Sequence, residues 1–179
     1  MKNKTNTGYD LIKADSGIKL EWGKEKKVLI VGGEGRCELG EVRGKLQVKD
    51  SVEVTVQSVK GQAISRDKST LTAKTVEGWA DSYDSSSLTV ETVEGWARSR
   101  DYSTLNAKII HSHAWSQNAS TLNAGSVGGH ARSYHSSTLT AGSIGGKAWS
   151  YSSSTMIAQS VKGYAVSWGS IPIRVGVNL

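Results

Sequence analysis

Residues Val93 to Ile109 read VEGWARSRDYSTLNAKI. This stretch decides the fold, because most of the chain repeats its plan every seventeen residues. Gly44, Gly61, Gly78, Gly95, Gly129, Gly146 and Gly163 keep that spacing, with Ser112 filling the single gap. So do Leu71, Leu88, Leu105, Leu122, Leu139 and Met156, and Ala63, Ala80, Ala97, Ala114, Ala131, Ala148 and Ala165. Self-similarity at a short fixed period marks a repeat architecture and outranks any local reading.

Numbered from the Val/Ile column (Val42, Val59, Val76, Val93, Ile110, Val127, Ile144, Val161), the odd positions are monotonous. Position three is Gly, five Ala, seven and eleven Ser, thirteen Leu, and fifteen Ala or Val, while even positions vary. Alternation with period two means strands with one buried face. A column that keeps its residue from coil to coil implies in-register stacking at about 4.8 Å. Seventeen residues leave no room for a helix beside the strands. The expected fold is therefore all-β: a single-stranded parallel β-solenoid, or β-helix, of about eight to nine short coils.

One strand is expected at positions three to eight and another at eleven to fifteen. Position nine (Asp67, Asp84, Asp101, Asn118, His135, Ser152, Gly169) supplies turn formers between them. The glycine corners are expected to serve tight turning. Ser69, Ser86, Ser103, Ser120, Ser137 and Ser154 form a buried column whose hydroxyls need partners from the stack. Residues 1–24 break the pattern and read as an N-terminal cap. Residues 25–41 read as an imperfect first coil, 42–160 as regular coils, and 161–179 as a C-terminal capping coil containing the only proline, Pro172. All belong to one continuous domain.

The single cysteine, Cys37, excludes an internal disulfide framework. It falls in the leucine column and reads as a buried thiol. The first residues, MKNKTNTGYD, lack an apolar signal core, so a cytoplasmic or virion-associated location is expected and no membrane contact. The net charge is +6, yet residues 110–179 hold Arg132, Lys147, Lys162 and Arg174 and no acid. Such a segment tolerates anionic partners, but its basic density is too low for nucleic-acid binding to be the expectation.

The even positions carry the candidate functional groups. Trp79, Trp96 and Tyr164 share position four, Trp115 and Trp149 position six, and Tyr83, Tyr134, Tyr151 and Trp168 position eight, with Arg98, Arg100 and Arg132 among them. One face is thus a mosaic of rings and cations, built from the residue types enriched at binding hot spots. It is expected to bind a protein partner or another copy of the chain, with a glycan as a further candidate. No cofactor is expected, and an enzymatic function is not. His111, His113 and His130 are weak metal-ligand candidates, since no outward Cys, Asp or Glu completes a shell. Asp67, Asp84 and Asp101 form an acidic column that turn formation explains. Lys74, Glu91 and Lys108 read as a cross-coil charge ladder.

The opposite strand presents an uncharged array at positions twelve and fourteen: Thr70, Thr72, Thr89, Thr104, Thr121, Thr138, Thr140 and Thr155. Here Ser137-Thr138-Leu139-Thr140-Ala141-Gly142 resembles the S-x-L-T-A-G element of bacterial ice-nucleation repeats, and Thr-x-Thr ladders resemble those of ice-binding solenoids. That resemblance implies a water-ordering face, an alternative function for the chain. Asn106, Asn123 and Ile157 interrupt the Thr column.

Overall fold

The computed structural model describes residues 8–23, 25, 27–169 and 171–176. The parts of the cap and capping-coil assignments that fall on residues 1–7, 24, 26, 170 and 177–179 lie outside them. All regular elements among the described residues are strands, wound into a parallel β-solenoid of about nine coils. The chain enters through β1 (Tyr9–Ala14), β2 (Ile18–Gly23) and β3 (Val28–Val42). One face, face B, then stacks the short strands β4 (Lys45–Val48), β6 (Ala63–Ser65), β8 (Ala80–Ser82), β10 (Ala97–Arg100), β12 (Ala114–Gln117), β14 (Ala131–Tyr134), β16 (Ala148–Tyr151) and β18 (Ala165–Trp168). Face A stacks β5 (Ser51–Val59), β7 (Thr70–Val76), β9 (Ser87–Val93), β11 (Thr104–Ile110), β13 (Thr121–Val127), β15 (Thr138–Ile144), β17 (Thr155–Val161) and β19 (Arg174–Val175).

From β3 onward, each strand pairs in parallel with its copy one repeat away. Ala97 sits opposite Ala114, and Leu105 opposite Leu122. The register follows from the buried columns: a slip of one residue would turn every Leu and Ala outward. Leu71, Leu88, Leu105, Leu122 and Leu139 are wholly buried, each worth about 1.5–3 kcal/mol relative to exposure. Cys37 occupies the leucine column and is buried, and burial is the first cause that raises its thiol pKa to about 11.

The strand limits differ from those read in the sequence. The face B strands begin at position five, because positions three and four form a corner. The face A strands run past position fifteen to the Val/Ile column. The glycines at the corner are not left-handed; left-handed glycine occurs at Gly33, Gly35 and Gly176. Their role is close approach: a Cβ on Gly78 would fall 2.6 Å from the Gly61 carbonyl oxygen. Left-handed backbone is found instead at positions nine and ten, for example Asp84 (φ 56°) with Ser85 (φ 62°), and Asp101 (φ 55°) with Tyr102 (φ 63°). Consecutive left-handed residues form an I′-like turn. The turn stays in the ladder, as the Ser85 amide donates to the Asp101 carbonyl and the Tyr102 amide to that of Asn118.

The serines close the interior. Ser82 Oγ lies 3.0 Å from Ser86 Oγ, and Ser86 Oγ donates to the Ser65 carbonyl at 2.7 Å. The same arrangement recurs from Ser65–Ser69 to Ser150–Ser154. These bonds join face B to the turn and each coil to the one below, satisfying the column's polar atoms. At the N-terminal end, β1 and β2 pair antiparallel with the two halves of β3. The half-buried Tyr9, Ile18, Leu20 and Trp22 pack on the core there.

Candidate functional site

Face B is built by the pleat. Ala and Ser at positions five and seven point inward, so positions four, six and eight point out and meet their copies above and below. At position four, Trp79 stacks on Trp96 with centroids 5.3 Å apart and planes 6° apart. His113 and His130 continue that column, stacked at 5.0 Å. At position eight, Tyr134 stacks on Tyr151 at 4.6 Å, and Tyr151 on Trp168 at 4.8 Å. Trp115 leans against Trp96 at 5.0 Å, and Tyr164 meets Trp149 edge-on at 6.2 Å. Desolvation, then Tyr134 beside it, raises the Tyr151 phenol above its ordinary pKa.

The cations are interleaved with the rings. The Arg100 guanidinium lies 4.8 Å over the Tyr83 ring, Arg132 lies 4.6 Å over Trp149, and the Lys147 ammonium 4.4 Å over Tyr164. Each such pair is worth about 0.5–2 kcal/mol, more as it is desolvated. Arg98 has another partner: its Nε and Nη2 donate to the two Asp81 carboxylate oxygens at 2.9 and 3.1 Å. Asp81 is buried, and the sequence reading did not single it out. Its signal was present, as a lone acid one repeat before Arg98 in an otherwise uncharged or basic column.

All twelve residues read as the partner face are therefore brought onto one surface. Because the stacking runs along the solenoid axis, the ring faces in these columns meet one another and their edges point outward. Trp79, Trp96, Tyr164 and Trp168 remain exposed. Tyr102, 76% exposed, stands apart on the turn.

The three histidines do not gather into one ligand shell. His111 pairs with Glu94 (Nδ1–Oε2 2.6 Å). His113 Nδ1 accepts the His130 amide at 2.8 Å, and His130 Nδ1 accepts the Lys147 amide at 2.9 Å. A neutral imidazole ligating a metal through Nε2 carries its proton on Nδ1, which these amides occupy. No group of three or more His, Cys, Asp or Glu among the described residues is placed to hold a metal ion. Nor do Lys74, Glu91 and Lys108 form the expected ion pairs; cross-coil pairs are found at Lys60–Glu77, Arg36–Glu53 and Arg98–Asp81. Asp67, Asp84 and Asp101 are left-handed turn residues, as their position implied.

On face A, Thr104, Thr121, Thr138 and Thr155 align in one unbroken column. Thr70, Thr72 and Thr89 are exposed, and Thr104, Thr121, Thr138, Thr140 and Thr155 half-buried. In the adjoining column the Asn123 amide donates to Asn106 at 2.9 Å, and Thr140 sits opposite Ile157. A shallow axial groove beside it has Ala73, Val90, Ala107 and Ala124 in its lining.

The fold and this surface define a parallel β-solenoid with an aromatic–cationic sheet face. Comparison with known proteins finds no family model, no curated protein and no solved structure that matches the chain.

Proposed function

We propose that the chain is a non-enzymatic binding or assembly module that presents face B to a protein partner or to a second copy of itself. The observation that carries this reading is the exposure of Trp79 (43%), Trp96 (38%), Tyr164 (50%) and Trp168 (56%) on a surface whose rings and cations brace one another. Bracing lowers the entropy lost when such side chains are immobilised in a complex. Trp, Tyr and Arg are the types that dominate binding energy when desolvated. The ring faces at positions four and eight are largely taken by neighbours, which favours a protein surface packing on ring edges over sugar rings stacking on ring faces.

The test is solution mass by light scattering at micromolar concentration, for the wild type and for Trp96→Ala with Trp115→Ala. A wild-type multimer reduced to monomer by the substitutions assigns face B to self-assembly. A monomer in both, with no binding of face B in protein arrays, overturns the reading.

A second reading, ordering of water or ice by face A, is favoured by the strict register of Thr104, Thr121, Thr138 and Thr155. In-register Thr columns repeat at about 4.8 Å between coils. Ice-growth inhibition lost in Thr121→Lys with Thr138→Lys would support it.

A further inference from the structure

His113 and His130 are the two imidazoles of the position-four column, and both do what no tryptophan of that column can. An indole N–H only donates. Here each imidazole turns its Nδ1 toward the next coil and accepts a corner amide, His113 from His130 at 2.8 Å and His130 from Lys147 at 2.9 Å. A backbone N–H is always a donor, so each Nδ1 must present a lone pair, which an imidazole does when it is neutral and carries its proton on Nε2. Glycine makes the approach feasible: a Cβ on Gly129 would lie 2.5 Å from His113 Nδ1, and one on Gly146 would collide with His130 Nδ1.

We infer that the His113–His130 pair is an acid-labile joint in the middle of the solenoid, holding two successive coil corners only while both rings are neutral. A proton arriving at Nδ1 faces the hydrogen of the amide it must displace. Protonating both rings would also place two cations 5.0 Å apart. The charged groups on positions two to six of the pair's coils and the adjoining ones do not relieve this. They are Arg132, Lys147, Arg98 engaged by Asp81, and Glu94 engaged by His111. The buried residues of these coils, among them Ile110, Val127, Ile144 and the Leu, Ala and Ser columns, are uncharged. Desolvation first, then His130 and Arg132, lower the His113 pKa.

The sign follows. With the folded pKa below the unfolded one, the unfolded chain binds more protons. The His113 contribution is complete above the ordinary histidine value of about 6.5 and is lost as pH falls through its lower folded value. The joint acts whatever binds face B, since it needs no partner.

The experiment is nuclear magnetic resonance on the full chain. At about pH 7.5 both rings should show the Nε2–H tautomer. Between about pH 7.5 and 5 the exchange protection of the His130 and Lys147 amides should fall about tenfold, while that of the Leu139 amide in β15 changes little. His113→Asn with His130→Asn keeps a carbonyl acceptor and removes the titration, so protection at those two amides should become independent of pH. An Nδ1–H tautomer at neutral pH overturns the inference. So does pH-independent protection in the wild type, or the same acid loss in the double variant. If the double variant fails to fold, the wild-type tautomer and protection still decide.

Discussion

Ser99 Oγ lies 3.0 Å from Ser103 Oγ inside the solenoid, and Ser103 Oγ also donates to the Ser82 carbonyl of the coil below at 2.6 Å. The pair therefore ties face B to the turn within one coil and ties that coil to its neighbour. Ser103→Ala removes the Oγ partner of the Ser99 hydroxyl, the Arg100 amide and the Ser82 carbonyl, while Ser99 Oγ keeps its bond to the Ser103 carbonyl. It should cost about 1–3 kcal/mol in urea unfolding. Ser99→Ala with Ser103→Ala should cost less than the sum of the two single substitutions, because they share one bond network.

The Asp81–Arg98 pair is bidentate and lies within the aromatic face, with the Asp81 side chain only 9% exposed. Asp81→Ala leaves a half-buried guanidinium without its carboxylate and should destabilise by about 1–3 kcal/mol. Asp81→Ile with Arg98→Leu, matching Ile64 one coil below, should recover most of that loss. Thermal melts of the three chains check both statements.

Gly78→Ala sets a methyl 2.6 Å from the Gly61 carbonyl oxygen, a rigid backbone neighbour in a stacked corner. It should destabilise by more than about 1 kcal/mol. Gly23→Ala, where the nearest atom is 3.8 Å away, should be close to neutral. Equal effects in denaturant titrations would show that close stacking does not require glycine at the corner.

Cys37 should resist a disulfide reagent at about pH 8 until the chain unfolds, since the thiolate is the reactive form and burial disfavours it. The folded thiol pKa of about 11 exceeds the ordinary value of 9.0. Folding therefore retains the proton: this contribution is present below pH 9.0 and is lost as pH rises through about 11. Cys37→Ala should remove that part of the alkaline loss.

The two faces should separate cleanly by mutation. Trp96→Ala with Trp115→Ala should abolish self-association or partner binding and leave any effect on ice growth intact. Thr121→Lys with Thr138→Lys should do the reverse. If neither pair alters a measured activity, both face assignments fail.

By itself the sequence determined the coil, the register and the division of residues between inside and outside. Seventeen-residue identity in the Leu, Ala and Ser columns admits one in-register stack, because any slip exposes every apolar side chain at once. That is why the twelve Trp, Tyr and Arg residues read as the partner face were legible as one surface. Tertiary structure decided what contacts make of those columns. The corner glycines serve close backbone approach, and left-handed backbone falls on Asp, Ser and Tyr instead, since stacking sets how near two coils come. Asp81 engages Arg98, while Lys74, Glu91 and Lys108 stay out of the ion pairs, because pairing depends on side-chain reach and burial beyond register. Nor does spacing show which nitrogen of His113 meets a neighbour. The amide of the next coil settles that, and with it whether the ring can hold a metal or only its own fold.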